Sequence, residues 1–224
     1  LSAQEINLAG EWEVALDSLD IGVTEKGADR SFPDHIVLPG TLCEGGYGIP
    51  CSFKPVMDKG VFAQLKRKYD YVGAAWYRKE VHVPESWKGK QVFLTLERVI
   101  WQSRIWVNGK PVNHTGESLS VPHSFDIGGL LLPGKKNTLV LRIDNRPPKE
   151  IKATNWSHAY TNQSQTIWNG VVGKIALTVK NRNWIETMEL IPDVDNEKVR
   201  VRICLGGCVF LEARFPLLCG NTGR

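Results

Sequence analysis

Apolar residues in this chain recur at every second position, and that period constrains the fold more than any other feature. Trp12, Val14 and Leu16 alternate with Glu13 and Ala15, and Val92, Leu94 and Leu96 with Thr95 and Glu97. Leu139, Leu141 and Ile143 alternate with Val140 and Arg142, Ile175, Leu177 and Val179 with Ala176 and Thr178, and Val199, Val201 and Ile203 with Arg200 and Arg202. Successive side chains of an extended strand point to opposite faces, so this is the pattern of strands with one buried face. No stretch sustains the 3.6-residue apolar period of a long helix.

Turn chemistry separates the strands. Ile105-Trp106-Val107 runs into Asn108-Gly109 and then Lys110-Pro111-Val112, and Asn-Gly accepts the positive φ angles of a type I′ hairpin turn. Pro39-Gly40, Pro133-Gly134 and Pro147-Pro148 mark other corners. The pattern predicts an all-β chain, an antiparallel two-sheet β-sandwich of jelly-roll type. The stretch 24–68, rich in Gly, Pro and Lys and weakly periodic, reads as long ordered loops beside the sandwich. A boundary is expected near Asn181-Arg182-Asn183, giving a sandwich over 1–183 and the start of a second β-domain over 184–224. That second segment is too short for a complete immunoglobulin-like sandwich of about 100 residues. From Cys204 onward the alternation is lost, and residues 204–224 read as a truncated or poorly ordered end.

Eight tryptophans, at 12, 76, 87, 101, 106, 156, 168 and 184, are many for a chain of 224 residues. They suit wide core fillers or flat platforms for ligand rings. The net charge of +4 comes from interleaved acidic and basic residues, and Lys66-Arg67-Lys68 and Lys88-Gly89-Lys90 are short, solvated runs. Without a basic stripe interleaved with aromatics, no nucleic-acid partner is expected. No segment reaches the roughly 18 apolar residues of a membrane-spanning helix, so no membrane span is expected. The five cysteines do not form an even set, and Cys43 and Cys51 could pair in an oxidising compartment. Cys204-Leu-Gly-Gly-Cys208 lacks a second His/Cys pair, so no metal or other cofactor is expected. Leu1-Ser2-Ala3-Gln4 is the kind of segment that follows the apolar part of a secretory signal, which points to an exported, periplasmic or extracellular protein.

Several blocks, in order, resemble the amino-terminal sugar-binding domain of glycoside hydrolase family 2. They are Leu8-Ala9-Gly10-Glu11-Trp12, Leu38-Pro39-Gly40-Thr41, Gly73-Ala74-Ala75-Trp76-Tyr77-Arg78-Lys79, Trp106-Val107-Asn108-Gly109-Lys110, Ser124-Phe125-Asp126-Ile127, Leu141-Arg142-Ile143-Asp144-Asn145 and Trp168-Asn169-Gly170-Val171-Val172-Gly173. The family includes β-galactosidases, β-glucuronidases and β-mannosidases. The resemblance implies a galactose-binding-like jelly roll, followed in the same protein by an immunoglobulin-like domain and a (β/α)₈ barrel that bears two catalytic glutamates.

The residues agree with that division of labour. Retaining glycosidases need two carboxyl groups about 5 Å apart, one protonated and one ionised. Glu97, Asp126 and Asp144 sit at predicted strand ends and turns, where capping and ion pairing are the ordinary roles, and no catalytic residue is expected in this chain. The resemblance also implies that the loop before Trp168 reaches the active-site pocket, with an aspartate in well-known members about six residues before the glycine matching Gly170. Ser164 stands there in this chain, which argues against a β-galactosidase or β-glucuronidase assignment in particular. The segment 154–169 nevertheless offers flat faces in Trp156, His158 and Trp168, and hydrogen-bonding groups in Asn162, Ser164, Gln165 and Asn169. Sugars present apolar C–H faces ringed by hydroxyls, which such residues fit, so these seven are the expected substrate-binding set. The alternative role for the segment is a polar loop anchored by its tryptophans on a neighbouring domain.

The expected function is a non-catalytic sugar-binding domain of a hydrolase acting on β-linked glycosides. Its partners are a carbohydrate substrate and the carboxy-terminal domains of the same protein. A stand-alone carbohydrate-binding module and a structural sandwich without a sugar role are the other two readings.

Overall fold

The computed structural model describes residues 4–23, 27–51, 68–148, 167–181, 184–206 and 209–216. Its strands, in chain order, are β1 (Glu5–Asn7), β2 (Gly10–Asp17), β3 (Asp34–Leu38), β4 (Gly40–Thr41), β5 (Ile49–Pro50), β6 (Tyr69–Asp70), β7 (Ala74–His82) and β8 (Gln91–Arg98). They continue with β9 (Gln102–Val107), β10 (Lys110–Glu117), β11 (His123–Asp126), β12 (Lys136–Asp144), β13 (Gly170–Lys180), β14 (Ile185–Asp193), β15 (Lys198–Leu205) and β16 (Val209–Pro216). One sheet runs β10-β9-β12-β7-β2-β3, and a second runs β1-β13-β8-β11 with β4 joined to β13. Short β5 and β6 pair with each other.

The two larger sheets share one core, as a sandwich requires. Trp12, Tyr77, Ile105, Leu139, Leu141 and Ile143 from the first sheet pack with Leu94, Leu96, Phe125, Ile175 and Leu177 from the second. The alternation read from the sequence therefore points the expected side chains inward. It breaks where a strand is buried on both faces: Ala15, Trp76 and Val140 pack with Phe32 on the outer side of the six-stranded sheet. Leu139 through Asp144 are consequently all buried, and β12 is a central strand.

The Asn108-Gly109 turn is as its residues dictate, with φ of 51° and 78°. Asn108 also does more than turn the chain. Its side chain donates to the Leu130 carbonyl (3.0 Å) and to Asn137 Oδ1 (2.9 Å), and accepts from the Thr138 N–H (3.0 Å).

Two expectations need correcting. The 24–68 stretch is not all loop: Asp34–Leu38 forms the edge strand β3 against β2, and Leu42–Gly45 forms a single helical turn, α1, closed by a Thr41–Glu44 capping box. The strand escaped the pattern because only Ile36 and Leu38 turn inward, between Pro33 and Pro39. The chain beyond Cys204 also holds a strand, β16, paired along its length with β15.

Leu1–Val179 and Lys180–Arg224 form two compact units. The second contains a three-stranded antiparallel sheet, β14-β15-β16. Its register aligns Met188, Ile203 and Leu211, Leu190, Val201 and Ala213, and Pro192, Val199 and Phe215 on one face. The other face carries Glu189, Arg202 and Glu212, with Arg202 Nη1 3.1 Å from Glu189. Met188, Leu190, Leu211 and Phe215 are exposed. Cys43, Cys51 and Cys204 are free thiols, so Cys43 and Cys51 do not pair.

Candidate functional site

Five of the seven expected sugar contacts, Trp156, His158, Asn162, Ser164 and Gln165, lie outside the described residues. The other two, Trp168 and Asn169, take different positions. Trp168 is half-buried, and its buried indole N–H has no hydrogen-bond partner among the described residues.

Asn169 is 2% exposed, and its carboxamide is bonded within the sandwich. Oδ1 accepts from the Tyr77 hydroxyl at 2.6 Å, and Nδ2 donates to the carbonyls of Gly73 (2.9 Å) and Ile143 (3.0 Å). Its own carbonyl accepts from the Leu42 N–H at 2.9 Å. Side chain and carbonyl together thus tie the start of β13 to the start of β7, the end of β12 and helix α1. The amide that suits a sugar hydroxyl suits a buried carbonyl equally, and here burial commits it to the scaffold.

Asn145 makes a second, adjacent tie. Its Oδ1 accepts from the Gly73 N–H (2.8 Å), and its Nδ2 donates to the Tyr71 carbonyl (2.9 Å). The Tyr71 hydroxyl accepts from the Asp17 N–H at 3.0 Å. Tyr77 is fully buried, and that burial drives its hydroxyl well above the ordinary tyrosine range, so it is a fixed donor. Gly170, next to Asn169, has φ of 136°, and a Cβ there would lie 2.3 Å from the Gly40 carbonyl oxygen. Only glycine lets β4 pass so close. Sequence reasoning missed Tyr71, Tyr77 and Asn145 as a unit, although the Gly73–Lys79 and Leu141–Asn145 blocks contain two of them.

Beside this network lies a group of charges on the outer face of the six-stranded sheet. The Arg142 side chain is 3% exposed and donates from Nε and Nη2 to Asp20 Oδ1 (3.0 and 2.5 Å), from Nη2 to Asp144 Oδ2 (2.8 Å) and from Nη1 to Gln102 Oε1 (3.2 Å). Arg146 Nη2 reaches both Asp20 Oδ2 (2.6 Å) and Asp144 Oδ2 (2.5 Å). Burial alone would raise the Asp144 pKa, but hydrogen bonds from Arg146 and the charges of Arg142 and Arg146 outweigh it, and the carboxyl stays below its ordinary range. This is a satisfied ion network, not an acid poised to give up a proton.

The remaining candidate carboxylates are equally committed. Glu97 Oε2 accepts the Lys174 N–H at 2.6 Å, and Asp126 Oδ1 accepts the Gly128 N–H at 3.1 Å. Asp17 is buried, and burial by itself would raise its pKa. The Trp76 indole N–H, the N–H groups of Gly22 and Ile21 and the Arg30 charge hold it low instead. His123 is buried with Nδ1 2.6 Å from Ser103 Oγ, a structural pair closed off from solvent.

The sequence model described as "Glycosyl hydrolases family 2, sugar binding domain" matches residues 6–179. The chain belongs to glycoside hydrolase family 2. Among similar proteins is a beta-galactosidase of Thermoanaerobacter pseudethanolicus, 29% identical over 129 residues, which are 57% of this chain and 16% of that protein. A beta-glucuronidase of Formosa agariphila is 32% identical over 75 residues, 33% of this chain and 7% of that protein. The crystal structure of Ruminococcus gnavus beta-glucuronidase matches with a TM-score of 0.67 at 16% identity, over 95% of this chain and 37% of that one. The chain thus spans a small part of the length of these family members, and the structural likeness is one of fold.

Proposed function

We propose that this family 2 sugar-binding domain is the non-catalytic part of a hydrolase cleaving β-linked glycosides, and that the segment 154–169 contributes to the rim of the active-site pocket. The observation that carries the reading is the paired anchorage at one end of the sandwich. Asn145 fixes the chain just before residues 149–166, and Asn169 fixes it just after them. A segment that must present Trp156, Asn162 and Gln165 to a ligand needs stems held to a few tenths of an ångström, and two carboxamides bonded at both oxygen and nitrogen supply that. The non-catalytic role is supported by Glu97, Asp126 and Asp144, each engaged by a backbone or guanidinium donor.

The test has two parts. The purified 224-residue chain should not turn over p-nitrophenyl β-glycosides. In a polypeptide that joins it to a catalytic barrel, Gln165→Ala should lower kcat/KM by about 1–3 kcal/mol, the cost of one lost buried hydrogen bond, without lowering Tm. Turnover by the chain alone, or an unchanged kcat/KM in the variant, would overturn the respective half of the proposal.

A further inference from the structure

A recess of about 720 Å³ opens on the outer face of the six-stranded sheet, lined chiefly by Trp101, Gln102, Glu117, Arg142, Asp144 and Arg146. Its volume lies within the roughly 300–1,000 Å³ of small-molecule sites. We infer that this recess is a separate subsite for an uncharged pyranoside, independent of the 154–169 segment. The inference rests on the carbohydrate-binding role of the domain, but not on the rim.

The floor is rigid. The Trp101 N–H donates to the Asp144 carbonyl (3.0 Å), and the Trp101 carbonyl accepts from the Ser118 N–H (3.2 Å), so the indole is carried between the ends of β12 and β10. Gln102 pairs in register with both Glu117 on β10 and Asp144 on β12, placing three polar side chains in one row across adjacent strands. Gln102 Nε2 donates to Glu117 Oε1 at 2.7 Å while its Oε1 accepts from Arg142, which orients the carboxamide. Ordering these groups in advance removes much of the entropy cost of binding.

The recess has what a sugar ring needs. Trp101 is half-buried and offers an apolar face. Among the described residues, its indole N–H, Glu117 Oε2 and Arg146 Nη1 have no hydrogen-bond partner, which leaves both donors and an acceptor for hydroxyl groups. Arg142 is already committed to Asp20 and Asp144, and Asp144 to Arg142 and Arg146, so they set the field and leave the contacts to their neighbours. Three carboxylates, Asp20, Glu117 and Asp144, face two guanidiniums, Arg142 and Arg146. The excess negative charge disfavours anionic ligands, so a neutral glycoside should bind better than a uronate.

The experiment is a ¹H–¹⁵N NMR titration of the 224-residue chain with methyl β-D-glucopyranoside, following the Trp101 indole N–H identified with Trp101→Phe. The expected result is a saturable shift of that resonance with a Kd of about 1–10 mM, as a few contacts and one stacked ring allow. Trp101→Ala and the surface change Glu117→Ala should each weaken binding at least about fivefold, the loss of one good contact. Sodium D-glucuronate should bind more weakly, and Gln165→Ala should leave the titration unchanged. A titration that survives Glu117→Ala but is lost in Gln165→Ala would overturn the recess and leave the rim standing. Absence of any shift at Trp101, or a uronate that binds as tightly as the neutral glycoside, would also overturn it.

Discussion

Replacing Asn169 by alanine removes three side-chain hydrogen bonds at one stroke, those to the Tyr77 hydroxyl and to the carbonyls of Gly73 and Ile143. The Tyr77 hydroxyl suffers most, because the side chain is fully buried and no other acceptor among the described residues is bonded to it. Stranding a buried polar group costs about 1–3 kcal/mol. The two carbonyls keep a second lone pair each and add less, so the expected loss is about 3–4 kcal/mol, a large part of the 5–15 kcal/mol that holds a typical domain together. With a urea slope of about 2 kcal/mol per molar, the denaturation midpoint followed by tryptophan fluorescence should fall by about 1.5–2 M. Tyr77→Phe alone strands only Asn169 Oδ1, which should cost about 1–2 kcal/mol. In the double variant the costs should fall short of additivity by at least about 1 kcal/mol, because the two residues share a bond. A midpoint within about 0.3 M of the parent for Asn169→Ala, or strict additivity, would show that the amide is not the tie described.

Other outcomes follow from the same structure. Gly109→Val should destabilise by more than the roughly 0.5 kcal/mol of an ordinary surface change, since its φ of 78° is hostile to a β-branched side chain; an unchanged urea midpoint would contradict this. Burial foremost, with help from the charge of His114, holds His123 below its ordinary pKa, against weaker opposing effects of the Ser118 backbone and Glu117. The unfolded chain therefore binds the extra proton first: His123 contributes full stability above about pH 6.5, and loses it as pH falls from there toward its folded pKa. His123→Gln should flatten the decline in urea midpoint between pH 7.5 and 5, and an equal decline in both proteins would rule the histidine out. Gln165→Ala, as set out above, should separate binding from stability.

Most of the sandwich could be read from the period of two, because the strands with one wet face announce themselves. β12 shows where that reading stops. Val140 and Arg142 look like outward-facing positions, yet Val140 is covered by Trp76 and Phe32 and Arg142 by its ion pairs. Burial from the outer side depends on Phe32, a residue far away in sequence, and no local pattern contains it. β3 was hidden for the opposite reason, having too few inward residues to establish a period. β16 does alternate, through Leu211, Ala213 and Phe215, but a small Ala among them and the glycines before it blunt the signal. At the site, residue type alone left Asn169 ambiguous. A carboxamide carries the same donors and acceptors whether it faces a hydroxyl or a carbonyl, and only the convergence of β7, β12 and β13 around it decides.

The two carboxamides that clamp the chain at 145 and 169 have an evolutionary consequence. They bond to main-chain groups of the sandwich and to the Tyr77 hydroxyl, and none of those partners lies in the interval 149–166. A substitution, insertion or exchange within that interval therefore leaves each of those bonds with both of its partners. Selection on these ties acts on residues outside the interval, and change within the interval does not pass through their loss.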